Sequence, residues 1–356
     1  MGKQWPFFLL LGFIQSARAA EGDVEALIRN GHWLRARAFA EDAYKDHPRD
    51  PHTIYVLARV RRAFQSYDEA ERLAEQAVRI EPKADVYHRL LGEVLADQIQ
   101  KPAVFKQLSL ARRMRAEFET ALALAPSRVE NQLDEIDYLI NAPAIAGGDK
   151  RKALAMAQDI SSSDLAGGYL ALAKVARAQK EENKLESLYQ KAVTADPRSY
   201  EARITLGAFY SAAPLEDPTL CEQHARIALE LNPDRIAAYR LLAYALAAQK
   251  RLDEADRLLA RAVAAIPDDL SPCVTAGRVL LRENVGLAQA ESYLRRYITE
   301  TKEPEAGAPH LAGVHWSLGL VYEKQRRLTD ARKELQTALR LKPDFEPAKR
   351  DLKRLQ

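Results

Sequence analysis

The chain has 356 residues, 47% of them hydrophobic and 29% charged, which is enough apolar material for a large core and excludes global disorder. Lys plus Arg number 53 against 50 Asp plus Glu, a net charge of +3, so the chain is not built around nucleic-acid electrostatics. Two cysteines exclude a disulfide framework and a structural zinc site.

Residues 1–19 read as a secretory signal. Lys3 gives a positive start, Trp5 to Ile14 is an uncharged apolar run, and Ala17-Arg18-Ala19 fits a small-x-small cleavage pattern. That run is half the roughly 20 residues a membrane span needs. No Cys follows it to carry a lipid, and no later stretch is apolar for long enough to span. The expectation is a soluble mature chain, periplasmic or secreted, cut near Ala19.

The remainder repeats. An Ala followed five residues later by Pro recurs at Ala43/Pro48, Ala77/Pro82, Ala121/Pro126, Ala192/Pro197, Ala228/Pro233, Ala262/Pro267 and Ala338/Pro343. The Pro-to-Pro steps are 34, 44, 71, 36, 34 and 76. These are one period, one period with an insertion, or close to two. In the clearest repeat, Ala312 to Phe345, the places are held by Leu318-Gly319, Tyr322, Ala331, Leu335, Ala338 and Pro343. Small residues there let two helices approach, larger apolar residues fill the seam at helical spacing, and the proline stops the second helix.

A period of 34 with these residues resembles the tetratricopeptide repeat. The resemblance covers essentially all of the chain after the signal and implies an all-α, right-handed superhelical solenoid of about nine helix-turn-helix pairs. The array is expected over 20–345. Its repeats lie near 24–50, 51–84, 85–127, 128–165, 166–199, 200–235, 236–269, 270–305 and 312–345, with a capping helix over 346–356. Within it, Ala96 to Arg113 carries an expansion of ten residues, Leu185 replaces a small residue, and Cys221 stands where a small residue belongs.

Chemistry is sparse. Asp253-Glu254-Ala255-Asp256 matches a helicase box in letters, but no phosphate-binding loop accompanies it and Ala255 is a repeat position. His310 and His315 are five apart, which is not a zinc-helix spacing, and His47 and His52 flank prolines in a turn. Cys221 and Cys273 fall two repeats apart and are expected as separate buried thiols. Gly147-Gly148-Asp149 reads as a connector with Asp149 as the N-cap of the next helix, or else as a loop lining a ligand site. No catalytic residue, metal site or cofactor is expected.

The resemblance implies that the first helix of each pair lines a concave groove. One stripe of that face holds Arg59, Arg62, Arg89, Lys174, Arg177, Arg240 and Arg278, against Glu93, Glu201 and Glu323. His52, Tyr55, Tyr244 and Trp316 share it. It reads as a groove for an acidic or carboxylate-ended peptide with Tyr244 and Trp316 as aromatic anchors, or as an ordinary solvated helix face. Arg59 and Lys174 stand where the Lys/Asn clamp of chaperone-binding relatives has Asn, so the resemblance does not extend to that role. The expected function is a non-enzymatic protein–protein scaffold without nucleic-acid partners. The alternative is a periplasmic solute-binding subunit of a transport system, which the segment with Pro143 and Gly147-Gly148 resembles.

Overall fold

Proline places the end of one helix in every repeat that carries it. The amide ring disfavours helical geometry at the residue before it, so the helix ends two residues upstream. The computed structural model describes residues 24–99, 104–212, 214–301 and 309–355, and among these there is no strand. The signal reading of 1–19 lies outside the described residues, and no described helix is long and apolar enough to cross a membrane.

Two compact units are present, residues 1–126 and 127–356. The first holds α1 (24–30), α2 (Trp33–Asp46), α3 (Pro51–Ala63), α4 (Tyr67–Ile80), α5 (Asp85–Ile99) and α6 (Val104–Leu124). The second holds α7 (Val129–Asn141), α8 (Lys150–Ser163), α9 (Leu165–Ala178), α10 (Leu185–Ala195), α11 (Tyr200–Tyr210) and α12 (Pro218–Leu231). It continues with α13 (Ile236–Ala248), α14 (Leu252–Ala265), α15 (Ser271–Glu283), α16 (Leu287–Glu300), α17 (Leu311–Lys324), α18 (Leu328–Leu341) and α19 (Glu346–Arg354). Thus α2, α4, α6, α10, α12, α14 and α18 all stop two residues before a proline.

The period predicts one uninterrupted array, whereas the chain divides after Pro126. The division follows the expanded repeat. There α6 runs 21 residues while α4 and α12 run 14, so the pair departs from the common repeat geometry. Among the described residues of the expansion, 96–99 belong to α5 and 104–113 to α6.

Within each unit, helices pack on their sequence neighbours. In the first, α3 packs on α4, α4 on α5 and α5 on α6. In the second, α8–α9, α9–α10, α11–α12, α12–α13, α15–α16, α16–α17 and α17–α18 continue the scheme, and first helices also meet directly, as α13 meets α15. The small residues sit at the closest approaches. Ala58, Ala70, Ala77, Ala243, Ala255, Ala331 and Ala338 are all completely or almost completely buried. At Gly92 an added Cβ would fall 2.5 Å from the Phe118 ring, so glycine is what lets α5 and α6 close up. Where Leu185 replaces the small residue, a 3₁₀ turn precedes it and α10 shortens to 11 residues. The last helix, α19, buries Ala348 and packs Leu352 and Leu355 beside Trp316 and Phe345, covering the end of the second unit.

Five turns between paired helices share one backbone solution. Gln65, Lys180, Lys250, Asn284 and Arg326 all have φ between 54° and 63°. The residue after each donates its N–H back to a carbonyl in the last turn: Arg251 to Leu246 at 2.9 Å and Arg327 to Tyr322 at 2.8 Å. This is the Schellman ending, whose left-handed residue is best supplied by glycine. Lys250 and Arg326 are exposed, so nothing is lost by removing their side chains. Lys250→Gly and Arg326→Gly should each stabilise the protein by about 0.5–1 kcal/mol, the left-handed penalty less the entropy glycine adds to the unfolded chain. A higher urea midpoint at unchanged slope is the expected reading; a lower midpoint would refute this account of the turns.

Candidate functional site

The basic stripe is best judged by what each cation already touches. In the first unit Arg59 donates to Glu25 at 2.8 Å and lies over the Tyr55 ring at 5.3 Å. Arg62 bonds Glu93 and also Asp97, the latter at 2.7 Å, and Arg89 lies 3.0 Å from Glu93. Every expected cation of that unit therefore faces a carboxylate. Such half-exposed pairs contribute little stability, about 0–1 kcal/mol each, but they cancel the charge a ligand would read.

The second unit differs. Lys174 pairs with Asp137 at 2.7 Å. Arg177 donates to the Tyr189 hydroxyl at 2.9 Å and Arg278 to the Ser317 hydroxyl at 3.1 Å, both neutral acceptors. Arg240 is exposed on α13. Among the described residues, Arg177, Arg240 and Arg278 have no carboxylate partner. They come from α9, α13 and α15, all first helices of their pairs.

The two aromatic residues expected as anchors are used within the chain. Tyr244 is only 6% exposed, and its hydroxyl donates to Glu216, which also takes Arg282 at 2.6 Å. Burial and the Glu216 carboxylate push the Tyr244 phenol well above its ordinary range, while Tyr244 and then Arg282 hold Glu216 below its own. Trp316 donates its indole N–H to Asp351 of α19 at 2.8 Å and meets Phe345 edge-on at 5.9 Å. Their hydrogen-bonding ends are satisfied, so neither stands free as an anchor.

Apart from Glu93, the acids that neutralise the stripe were not singled out in the sequence, yet they carry a signal. Arg59–Glu25, Arg62–Asp97, Lys174–Asp137 and Trp316–Asp351 are separated by 34, 35, 37 and 35 residues, one repeat in each case. A stacked array places residues one period apart side by side. Contact between neighbouring repeats also builds a clasp used twice. Arg251 bonds Glu222 at 2.5 Å and Glu254 at 2.7 Å, and Arg327 bonds Glu291 and Asp330 at 2.8 Å each.

The remaining motifs fall into structural places. Ala255 is buried within α14, while Glu254 is engaged by Arg251 and Asp256 by Tyr293, so the helicase-like letters form part of an ordinary packed helix. His310 caps α17, accepting from Gly313 N–H at 2.9 Å, and His315 contacts Glu334 at 2.6 Å. Cys221 and Cys273 are buried free thiols, pushed up by burial to about 12 and about 11 respectively. Among the described residues no group of three or more His, Cys, Asp or Glu is placed to hold a metal ion.

The Gly147-Gly148 loop is held firmly. Asp149 caps α8, accepting from Arg151 and Lys152 N–H at 2.9 and 3.2 Å, and those bonds hold its carboxyl below the usual range. Gly147 has φ 92°, and the Tyr138 hydroxyl donates to the Ala146 carbonyl. A Cβ on Gly148 would lie 1.9 Å from the Ala142 carbonyl oxygen, closer than atoms can approach. Ile145, 98% exposed at the tip, was not anticipated. Because the obstacle is backbone, Gly148→Ala should destabilise the protein by about 2 kcal/mol or more, read as a lower urea midpoint. An unchanged midpoint would mean that the loop is not held in this conformation.

Two family models, both described as tetratricopeptide repeat, match the sequence over residues 27–94 and over 215–269 and 276–344. Together they span more than half of the chain, and with the helical pairs above they establish that it belongs to the tetratricopeptide repeat family. Proteins of this family bind other proteins or peptides, and the fold is typically non-catalytic. Among solved structures, yeast Tom70 is similar at 12% identity, covering 96% of this chain and 88% of that one with a TM-score of 0.47. A tetratricopeptide repeat protein from Parabacteroides merdae is similar at 16% identity, covering 86% and 98% with a TM-score of 0.43. Cut9–Hcn1 of the APC/C is similar at 14% identity, covering 93% and 76% with a TM-score of 0.47. No curated protein matches the sequence significantly.

Proposed function

We propose that this chain is a non-enzymatic interaction scaffold whose second unit binds a carboxylate-bearing peptide or protein segment on its first-helix face. One observation carries the reading. Among the described residues, Arg177, Arg240 and Arg278 keep no carboxylate partner, whereas Arg59, Arg62, Arg89 and Lys174 each have one. Guanidinium groups match carboxylates in a two-pronged geometry, so cations without an internal acid are the ones available to a partner.

The test compares affinity capture by the intact protein, an Arg177→Glu/Arg240→Glu/Arg278→Glu variant and an Arg59→Glu control. Losing one interfacial charge pair costs about 2–5 kcal/mol when it is desolvated, so the triple variant should bind its partner at least about tenfold more weakly. The control should retain the partner. Equal retention by all three proteins would overturn the assignment of this face.

The protein is further proposed to act outside the cytoplasm. Support comes from the sequence of residues 1–19, a charged start, an apolar run and a small-residue cleavage pattern. N-terminal sequencing of the native protein from an envelope fraction should read from Ala20. An intact Met1 start in the cytoplasmic fraction would overturn this placement.

A further inference from the structure

The second helices of the second unit carry a separate feature, independent of the face considered above. Two cavities of about 220 Å3 each lie at equivalent places. The first is formed by α12, α13 and α14, the second by α16, α17 and α18. Their residues correspond through the repeat. The wall residue Arg226 becomes Arg295, the floor residues Leu242 and Leu246 become Leu318 and Tyr322, and Arg257 on the facing helix becomes Lys333. Between them, Tyr293 of α16 bonds Asp256 of α14.

The charges in the two cavities are balanced in the same way. In the first, Arg226 is held by Glu222 at 2.6 Å, and Glu254 is held by Arg251 at 2.7 Å. In the second, Arg295 lies 3.6 Å from Glu291, Asp330 is taken by Arg327 at 2.8 Å, and Glu334 by His315 at 2.6 Å. Every acid lining either cavity is thus already engaged. Arg257, Arg261 and Lys333 are exposed and form no ion pair among the described residues; Arg257 acts on Glu254 only through space, and Arg261 meets the Tyr239 ring at 6.0 Å. The first cavity therefore has a buried apolar floor of Leu242 and Leu246, the second a mixed one of Leu318 and Tyr322 beside His315 and Thr299, and each has surplus positive charge at its rim.

We propose that these paired clefts bind an acidic segment of a partner protein, each taking one large apolar side chain while flanking carboxylates meet Arg257 and Lys333. Three features select this occupant. A volume of about 220 Å3 is below the roughly 300–1,000 Å3 of small-molecule sites and suits a single bulky side chain. The surplus charge selects acidic flanks. The recurrence two repeats apart favours an extended segment that reaches both clefts, because linking two weak contacts multiplies their affinity.

The test uses the intact protein with methyl-labelled Leu and Ile, observed by NMR. The probes are the peptides acetyl-DEFED-amide, acetyl-KKFKK-amide and acetyl-DEGED-amide, together with a tandem of the first joined by a Gly/Ser linker. At millimolar concentration the acidic Phe peptide should shift Leu229, Leu242, Ile298 and Leu318, and the other two single peptides should not. The tandem should bind at least tenfold more tightly than the single peptide. Arg257→Glu/Lys333→Glu, both at exposed positions, should weaken it at least tenfold, and Arg177→Glu/Arg240→Glu/Arg278→Glu should leave it unchanged. Equal shifts from the basic or Phe-less peptide, or none from any, would overturn the proposal. So would shifts from laurate alone, which would assign the clefts to an acyl chain. Loss of binding only in the Arg177/Arg240/Arg278 variant would also overturn it, leaving the first-helix face as the sole site.

Discussion

Close approach of paired helices through small side chains is the constraint on which the rest of this protein depends. Ala58 on α3 is fully buried, as are Ala70 and Ala77 on α4; Ala243 on α13 and Ala255 on α14 repeat the arrangement. A larger side chain at these places would have to displace a neighbouring helix, and interiors packed to crystal-like density have no slack to absorb it. Once the helices are that close, the remaining apolar positions are buried by geometry, and each pair needs its neighbours to cover its outer face. The proline two residues past the second helix, in the repeats that carry it, then sets the length of the module.

Stacking at a fixed period has an electrostatic consequence. Residues one repeat apart in sequence become spatial neighbours, so an acid in one repeat can cancel a base in the next. Arg59 with Glu25 and Lys174 with Asp137 are examples, and the Glu222–Arg251 and Glu291–Arg327 clasps show contact between neighbouring repeats used twice in equivalent places. A basic stripe read along one face is therefore not a measure of available charge. What remains of that stripe after internal pairing is smaller, and the clefts draw on different cations. Arg177, Arg240 and Arg278 lie on first helices, while Arg257, Arg261 and Lys333 lie on second helices.

Much of the helical framework was legible because it rests on local rules. The proline ends, the buried alanines, the cap at Asp149 and the terminal helix α19 all follow from spacing and side-chain type. The binding surface was less legible. Tyr244 occupies a stripe position by count, yet it is buried and bonded to Glu216, which lies in the irregular link before α12. Trp316 likewise occupies a stripe position, but Asp351 of the capping helix holds its indole. Neither partner belongs to the stripe from which those aromatics were chosen. The break after Pro126 was also hidden, because a repeat count registers an insertion as extra length and not as a change in helix packing.

By itself the sequence determined the helical period, the small residues at each close approach, the positions where helices stop and the membership of this chain in a repeat family. These are set by interactions within a pair or by backbone sterics, so a spacing of a few residues carries them. Tertiary structure alone decided which cations lack an internal carboxylate partner, which aromatics are buried, where the chain divides and where the two equivalent clefts lie. Those properties arise between helices brought together by stacking, where the deciding partner can come from a neighbouring repeat, an irregular link or the capping helix.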